Sequence, residues 1–145
     1  MIVAEDICMK YRQVFKEVVA LKNISLNVKK GEIFGLIGPD GAGKSSLFRI
    51  LTTLLLPTGG KASVGGYDVI KQFREVRNIV GYMPGKFSLY QDLSVEENLT
   101  FFASVFDTTI EANYDQVKDI YEQLLPFKNR KAGALSGGMK QKLGL

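Results

Sequence analysis

The sequence has 145 residues, 46% apolar, 23% charged and 10% aromatic, with 15 glycines and only 4 prolines. That composition excludes disorder and collagen and fits one soluble globular unit, in which roughly two thirds of the extended surface becomes buried. Lysine plus arginine is 19 against 15 acidic residues, a net +4 that mildly favours phosphates, and the absence of histidine excludes imidazole acid/base chemistry and histidine metal ligation.

In chain order, Ile2 to Met9 and Val18 to Val28 alternate loosely with Lys and Glu interleaved. This predicts two half-exposed antiparallel strands joined by a polar turn near Arg12 and Gln13. The single cysteine, Cys8, excludes an internal disulfide, and its setting between Ile7 and Met9 predicts a buried thiol. Ile33 to Gly38 is nearly continuous apolar, which predicts a strand covered on both faces of a parallel sheet. A helix is expected from about Lys44 to Leu55, with Leu47, Ile50, Leu51, Leu54 and Leu55 on one face and Pro57 and Gly59-Gly60 as its stop. Val64-Gly65-Gly66-Tyr67 reads as a short strand and turn, and Asn78 to Met83 as a second apolar strand ended by Pro84-Gly85.

From Asp92 the texture turns helical. Ser94-Val95-Glu96-Glu97 is a capping box, followed by Leu99, Phe102, Ala103 and Phe106 at helical spacing. A further helix is expected from about Ile110 to Leu125, using Tyr114, Val117, Ile120, Tyr121 and Leu124 and ending at Pro126, with its aromatics in the core. Ser136 reads as the N-cap of a third helix. The N-terminus has no leader pattern, and no stretch approaches the roughly 20 apolar residues of a membrane helix, so no insertion in a bilayer is expected.

Two segments carry chemistry. Gly38-Pro39-Asp40-Gly41-Ala42-Gly43-Lys44-Ser45 matches GxxxxGK[ST] between a predicted buried strand and a predicted helix. The glycines let successive N–H groups converge on phosphates, and the helix N-terminus adds partial positive charge. Lys44 is expected to reach the β- and γ-phosphates, Ser45 to place its hydroxyl on Mg²⁺, and Ser46 to touch the α-phosphate. The second segment is Leu135-Ser136-Gly137-Gly138-Met139-Lys140-Gln141, where two glycines after a serine cap leave bare N–H groups for a phosphate approaching from outside. Taken alone, such a segment is also compatible with a flexible turn.

With both segments in place, the chain resembles the nucleotide-binding domain of ABC transporters. The phosphate loop GPDGAGKSS, the signature LSGGMKQ and the intervening GYMP…LYQDLSVEENL carry the resemblance, which is nearest to the bacterial multidrug or ABC-2 export type. It implies an α/β fold of the P-loop NTPase kind: an incomplete ABC-type ATPase domain, with a β-rich nucleotide-binding part at about 1–84 and a helical signature part at about 85–145. It also implies ATP with Mg²⁺, a membrane-spanning transporter subunit, a second ATPase domain in a head-to-tail dimer, and a peripheral position on the cytoplasmic face of the membrane. Nucleic acid is not an expected partner. Tyr11 corresponds to the aromatic that stacks on adenine, and the signature residues to those that meet the ATP of the partner domain.

Two departures qualify this. The family's Q-loop glutamine falls at Gly85, which has no side chain to touch Mg²⁺ or the attacking water; either Gln91, Lys86 or backbone groups substitute for it, or the loop serves as a flexible joint with weaker metal coupling. Beside them, Phe87, Leu89 and Tyr90 form an apolar cluster, either core or a face for the membrane subunit. The family's later carboxylates and switch histidine have no counterpart in the 145 residues, so the chain reads as an N-terminal fragment that binds nucleotide weakly and does not hydrolyse it. Self-association over exposed apolar sheet edges is a further expectation. The alternatives are a soluble ABC-type ATPase acting on ribosomes and a non-hydrolysing nucleotide-binding scaffold.

Overall fold

Two long strands rich in β-branched residues, β1 (Ile2–Gln13) and β2 (Lys16–Val28), pair antiparallel from Ile2↔Val28 to Gln13↔Lys16. They belong to a computed structural model that describes residues 1–13, 16–85 and 88–145. The expected Phe87 contact and any substitution by Lys86 lie outside the described residues. The chain divides into two compact units, Met1–Tyr82 and Met83–Leu145.

In the first unit β3 (Gly59–Val64) pairs antiparallel on the other side of β1, and β4 (Tyr67–Asp68) completes a sheet of order β2-β1-β3-β4. Gly65 and Gly66 join β3 to β4 with φ of +63° and +92°, the left-handed pair that a tight hairpin turn requires. Helix α1 (Lys44–Leu51) lays Leu47, Ile50 and Leu51 on a core built with Ala4, Ile7 and Met9 of β1, Leu21 of β2 and Val76 of α2 (Phe73–Ile79). Register slips in β1 near Asp6, itself left-handed at φ +50°, keep Ala4 and then Ile7 and Met9 on the buried side. Cys8 is only half-buried: its thiol donates to Asn23 Oδ1 at 3.0 Å and accepts the Asn23 N–H at 3.3 Å.

Several sequence expectations fail here for one reason. Apolar texture names neither the strand that a segment pairs with nor the element that covers it. Ile33 to Gly38 joins no ladder among the described residues; Ile33 and Ile37 are 101% and 96% exposed, and only Leu36 packs against the core. The sheet is antiparallel throughout the described residues, where a parallel one was expected. Asn78 to Met83 is not a strand either, because Phe73, Val76 and Val80 recur at helical rather than alternating spacing; α2 claims Asn78 and Ile79, with Val76 fully buried.

Helix α1 stops at Leu51 rather than Leu55. Thr53 adopts φ +63°, sends its N–H to Ile50 O at 3.0 Å, and is gripped by Arg77 through Nε to Oγ1 at 2.8 Å and a second guanidinium N–H to Thr53 O at 3.1 Å. Leu54 is thereby turned outward. Gly59 and Gly60, expected only to stop a helix, open β3.

The second unit starts its first helix as the capping box predicts. Ser94 Oγ accepts from Glu97 N–H at 3.2 Å and Glu97 Oε2 accepts from Ser94 N–H at 2.7 Å at the start of α3 (Val95–Val105). The Ser94 hydrogen bond is also the main reason why the Glu97 carboxyl titrates below the ordinary glutamate range. Helices α4 (Tyr114–Leu124) and α5 (Gly137–Leu143) follow, with a 3₁₀ turn at Leu125–Phe127 carrying Pro126. Val95, Leu124, Ala132, Leu135 and Leu143 form the core.

Several aromatics of this unit are exposed. Tyr90, Phe101 and Phe102 form a cluster with centroids 5.1 to 6.2 Å apart, edge-to-face in two pairs and stacked between Tyr90 and Phe102; Tyr90 and Phe101 are exposed, and Phe106 stands free of the core. Leu89, by contrast, packs inward.

Candidate functional site

The phosphate-loop segment lies at the surface of the first unit, between β2 and α1. Gly43 is the N-cap of α1 with φ +90°, and the Ala20 carbonyl and Leu21 side chain of β2 stand where a Cβ would go. Only glycine lets the loop sit that close to the strand. Lys44 Nζ donates to Gly38 O at 2.6 Å and Pro39 O at 2.7 Å, closing the loop into a ring around its own ammonium group. Ala42 N–H to Pro39 O at 3.3 Å adds an internal turn.

Helix α1 begins with no side-chain cap and no acidic residue in its first turn. Its first helical bond is Leu47 N–H to Gly43 O at 3.0 Å, so helix geometry gives the N–H groups of Lys44, Ser45 and Ser46 no acceptor within the helix. The contrast with α3 is direct: there a serine and a glutamate occupy the corresponding groups. An uncapped start beside a lysine is a chemically suitable seat for an anion, since the dipole and the free donors both favour negative charge.

Ser45 is exposed next to Lys44. A single hydroxyl there suits Mg²⁺ arriving with phosphates and waters, because that ion keeps several waters and takes few protein oxygens. Among the described residues no group of three His, Cys, Asp or Glu is placed to hold a metal alone. Tyr11, near the end of β1, comes to the same place: its ring packs on the core and its hydroxyl lies 3.0 Å from Ser46 Oγ.

The signature segment belongs to the second unit. Leu135 is buried and Met139 packs against the same core, so both anchor the segment, while Ser136, Gly137, Gly138 and Gln141 face solvent. Ser136 Oγ accepts from Met139 N–H at 3.4 Å, Lys140 Nζ donates to Gly133 O at 2.9 Å, and nothing stands within 4 Å of where Gly137 or Gly138 would carry a Cβ. Gly133 N–H in turn donates to Gln91 O at 2.9 Å.

Gly85 is exposed, and its turn faces α5 across a cavity of about 310 Å³ within the second unit, lined also by Leu89, Lys140 and Gln141.

Sequence reasoning missed three elements of this arrangement: the Tyr11 to Ser46 link, the Arg77 grip on Thr53, and Asn98. Asn98 is 1% exposed; its Nδ2 donates to Tyr90 O at 2.9 Å, Leu93 O at 3.3 Å and Ser94 O at 2.9 Å, and its Oδ1 accepts from Tyr90 N–H at 3.0 Å. A polar residue one turn after Val95, on the buried stripe of α3, was the available signal.

The family model for ABC transporters matches residues 21–145. The chain belongs to the ABC transporter family. It is 47% identical over 128 residues to the probable multidrug ABC transporter ATP-binding protein YbhF of Escherichia coli, covering 87% of this chain and 22% of that one. It is 34% identical over 131 residues to the doxorubicin resistance ATP-binding protein DrrA of Mycobacterium tuberculosis, covering 89% and 40%. Among solved structures it resembles the dimeric ATP-binding cassette MJ0796 bound to ADP and Pi, with TM-score 0.80 and 25% identity over 99% of this chain and 67% of that one.

The fold is therefore that of an ABC ATPase cassette, a P-loop NTPase, present in part. This ABC family chain spans well under half the length of the two curated relatives it is compared with. No helix among its described residues is long and apolar enough to cross a membrane.

Proposed function

We propose that this chain binds the phosphates of Mg-ATP on the Gly38 to Ser46 loop, as part of the ATP-binding subunit of an ABC transporter that exports its substrate. The observation that carries the reading is the uncapped, acid-free start of α1, around which Lys44 closes the loop. On this reading the Lys44 ammonium exchanges its two carbonyls for the β- and γ-phosphates, and the loop N–H groups take the remaining phosphate oxygens. Ser45 contributes one oxygen to Mg²⁺, Ser46 faces the α-phosphate, and the Tyr11 ring takes the adenine. Export is favoured by the multidrug and doxorubicin-resistance relatives.

The signature acts in trans. Leu135 and Met139 hold it to its core, leaving Ser136, Gly137 and Gly138 to meet the ATP of a second ATPase domain in a head-to-tail dimer, as the dimeric cassette supports. The exposed Tyr90 and Phe101 offer an apolar contact for the membrane-spanning subunit, which would hold the protein peripherally at the cytoplasmic face of a membrane.

The 145-residue chain on its own binds nucleotide without turning it over. Gly85 supplies no side chain to meet Mg²⁺ or an attacking water. Gly85 also favours a second reading, a nucleotide-binding scaffold without turnover.

Titration calorimetry with Mg-ATP on the chain and on Lys44→Ala, with phosphate release followed in the same samples, tests the proposal. Binding that is lost in Lys44→Ala, with no release above buffer, is the expected result. Equal binding by both proteins would overturn the phosphate-loop assignment, and Lys44-dependent release would overturn the absence of turnover.

A further inference from the structure

The first turn of α1 is fixed to the sheet at two points. Gly43 is pressed against Ala20 and Leu21 of β2, and Ser46 meets Tyr11 of β1 through a hydroxyl-to-hydroxyl hydrogen bond of 3.0 Å between half-buried side chains. Tyr11 itself is set by its pairing with Val18 across the ladder and by its ring against the core. A serine near a helix start otherwise turns its hydroxyl back onto a carbonyl of the preceding turn or rotates freely. The Tyr11 hydroxyl removes that freedom, while the helix start itself gives the Ser46 N–H no acceptor within the helix.

We propose that the Tyr11 hydroxyl is a positioning group for phosphate binding, acting through Ser46 Oγ, independently of any contact that its ring makes with a base. The proposal rests on the phosphate-loop reading above. It assigns two tasks to one residue: the ring to the base end of a nucleotide, and the hydroxyl, through Ser46, to the phosphate end. Phenylalanine at position 11 could perform only the first.

The test compares Mg-ATP with Mg-tripolyphosphate, which has no base, by calorimetry on the unaltered chain, Tyr11→Phe, Ser46→Ala, the double variant and Lys44→Ala. Tyr11→Phe is expected to weaken both ligands by the same factor, roughly three- to tenfold, the effect of one hydrogen bond. In the Ser46→Ala background the same change is expected to have no further effect, and Ser46→Thr, which keeps the hydroxyl, is expected to retain affinity. This Ser46 pair reads the contact from its other end should Tyr11→Phe fail to fold.

A loss for ATP alone would place the hydroxyl at the base and overturn the proposal. So would unchanged affinity for both ligands, or effects that multiply in the double variant. If the unaltered chain and Lys44→Ala bind tripolyphosphate equally, the phosphate-loop reading fails and this proposal fails with it.

Discussion

Asn98 does for the second unit what no apolar residue in its place could. Its amide pins the backbone of Tyr90, Leu93 and Ser94 with four hydrogen bonds while 1% exposed. Replacing it by the similarly sized leucine would strand at least two backbone groups away from water, each costing about 1 to 3 kcal/mol. Asn98→Leu is therefore expected to destabilise the second unit by about 2 to 6 kcal/mol, read as a shift in denaturant midpoint. The expected route is release of the Tyr90 to Ser94 turn, so tryptic cleavage at Lys128 to Lys131, which is hydrogen-bonded to this turn region through Val95 and Glu96, should quicken in parallel. Because the phosphate loop stands on a different core, its affinity for Mg-ATP should stay unchanged in the same variant.

Elements differ in how far their own residues declare them. The capping box of α3 and the Gly65-Gly66 hairpin were legible because the interactions are local: a serine three residues before a glutamate, and two glycines between short strands. The phosphate-loop helix was legible at its start for the same reason, but its stop was not, since Thr53 is held by Arg77 from 24 residues away. The Ile33 to Gly38 and Asn78 to Met83 segments were misread because a strand is defined by its neighbour, which local texture does not name. Of the candidate site, the loop residues could be read from spacing, whereas the bond from Tyr11 to Ser46 depends on β1 and α1 meeting across the fold. The start of α1 also has a steric requirement that spacing only hints at. Gly43→Ala places a methyl group against the Ala20 carbonyl at φ +90°, so the loop must lift from β2. Loss of detectable Mg-ATP binding in calorimetry, with circular dichroism still reporting the sheet, is the expected outcome.

At the scale of the whole molecule, the two motifs stand on separate cores: the phosphate loop in Met1–Tyr82 and the signature in Met83–Leu145. Under the proposed head-to-tail reading, each of two copies supplies a different motif to one site. One run of the first unit, meanwhile, joins no ladder among the described residues. Ile33-Phe34-Gly35-Leu36-Ile37-Gly38 is uncharged and free of proline, and its two isoleucines stand in solvent. Four of its six residues, Ile33, Phe34, Leu36 and Ile37, are apolar and uncharged, and an unpaired run of that kind is an ingredient of stacked cross-β fibrils, in which each copy supplies the hydrogen-bonding edge that its neighbour lacks. The purified chain is thus expected to form thioflavin-positive aggregates as concentration rises, and a double change of Ile33→Lys and Ile37→Lys to suppress them.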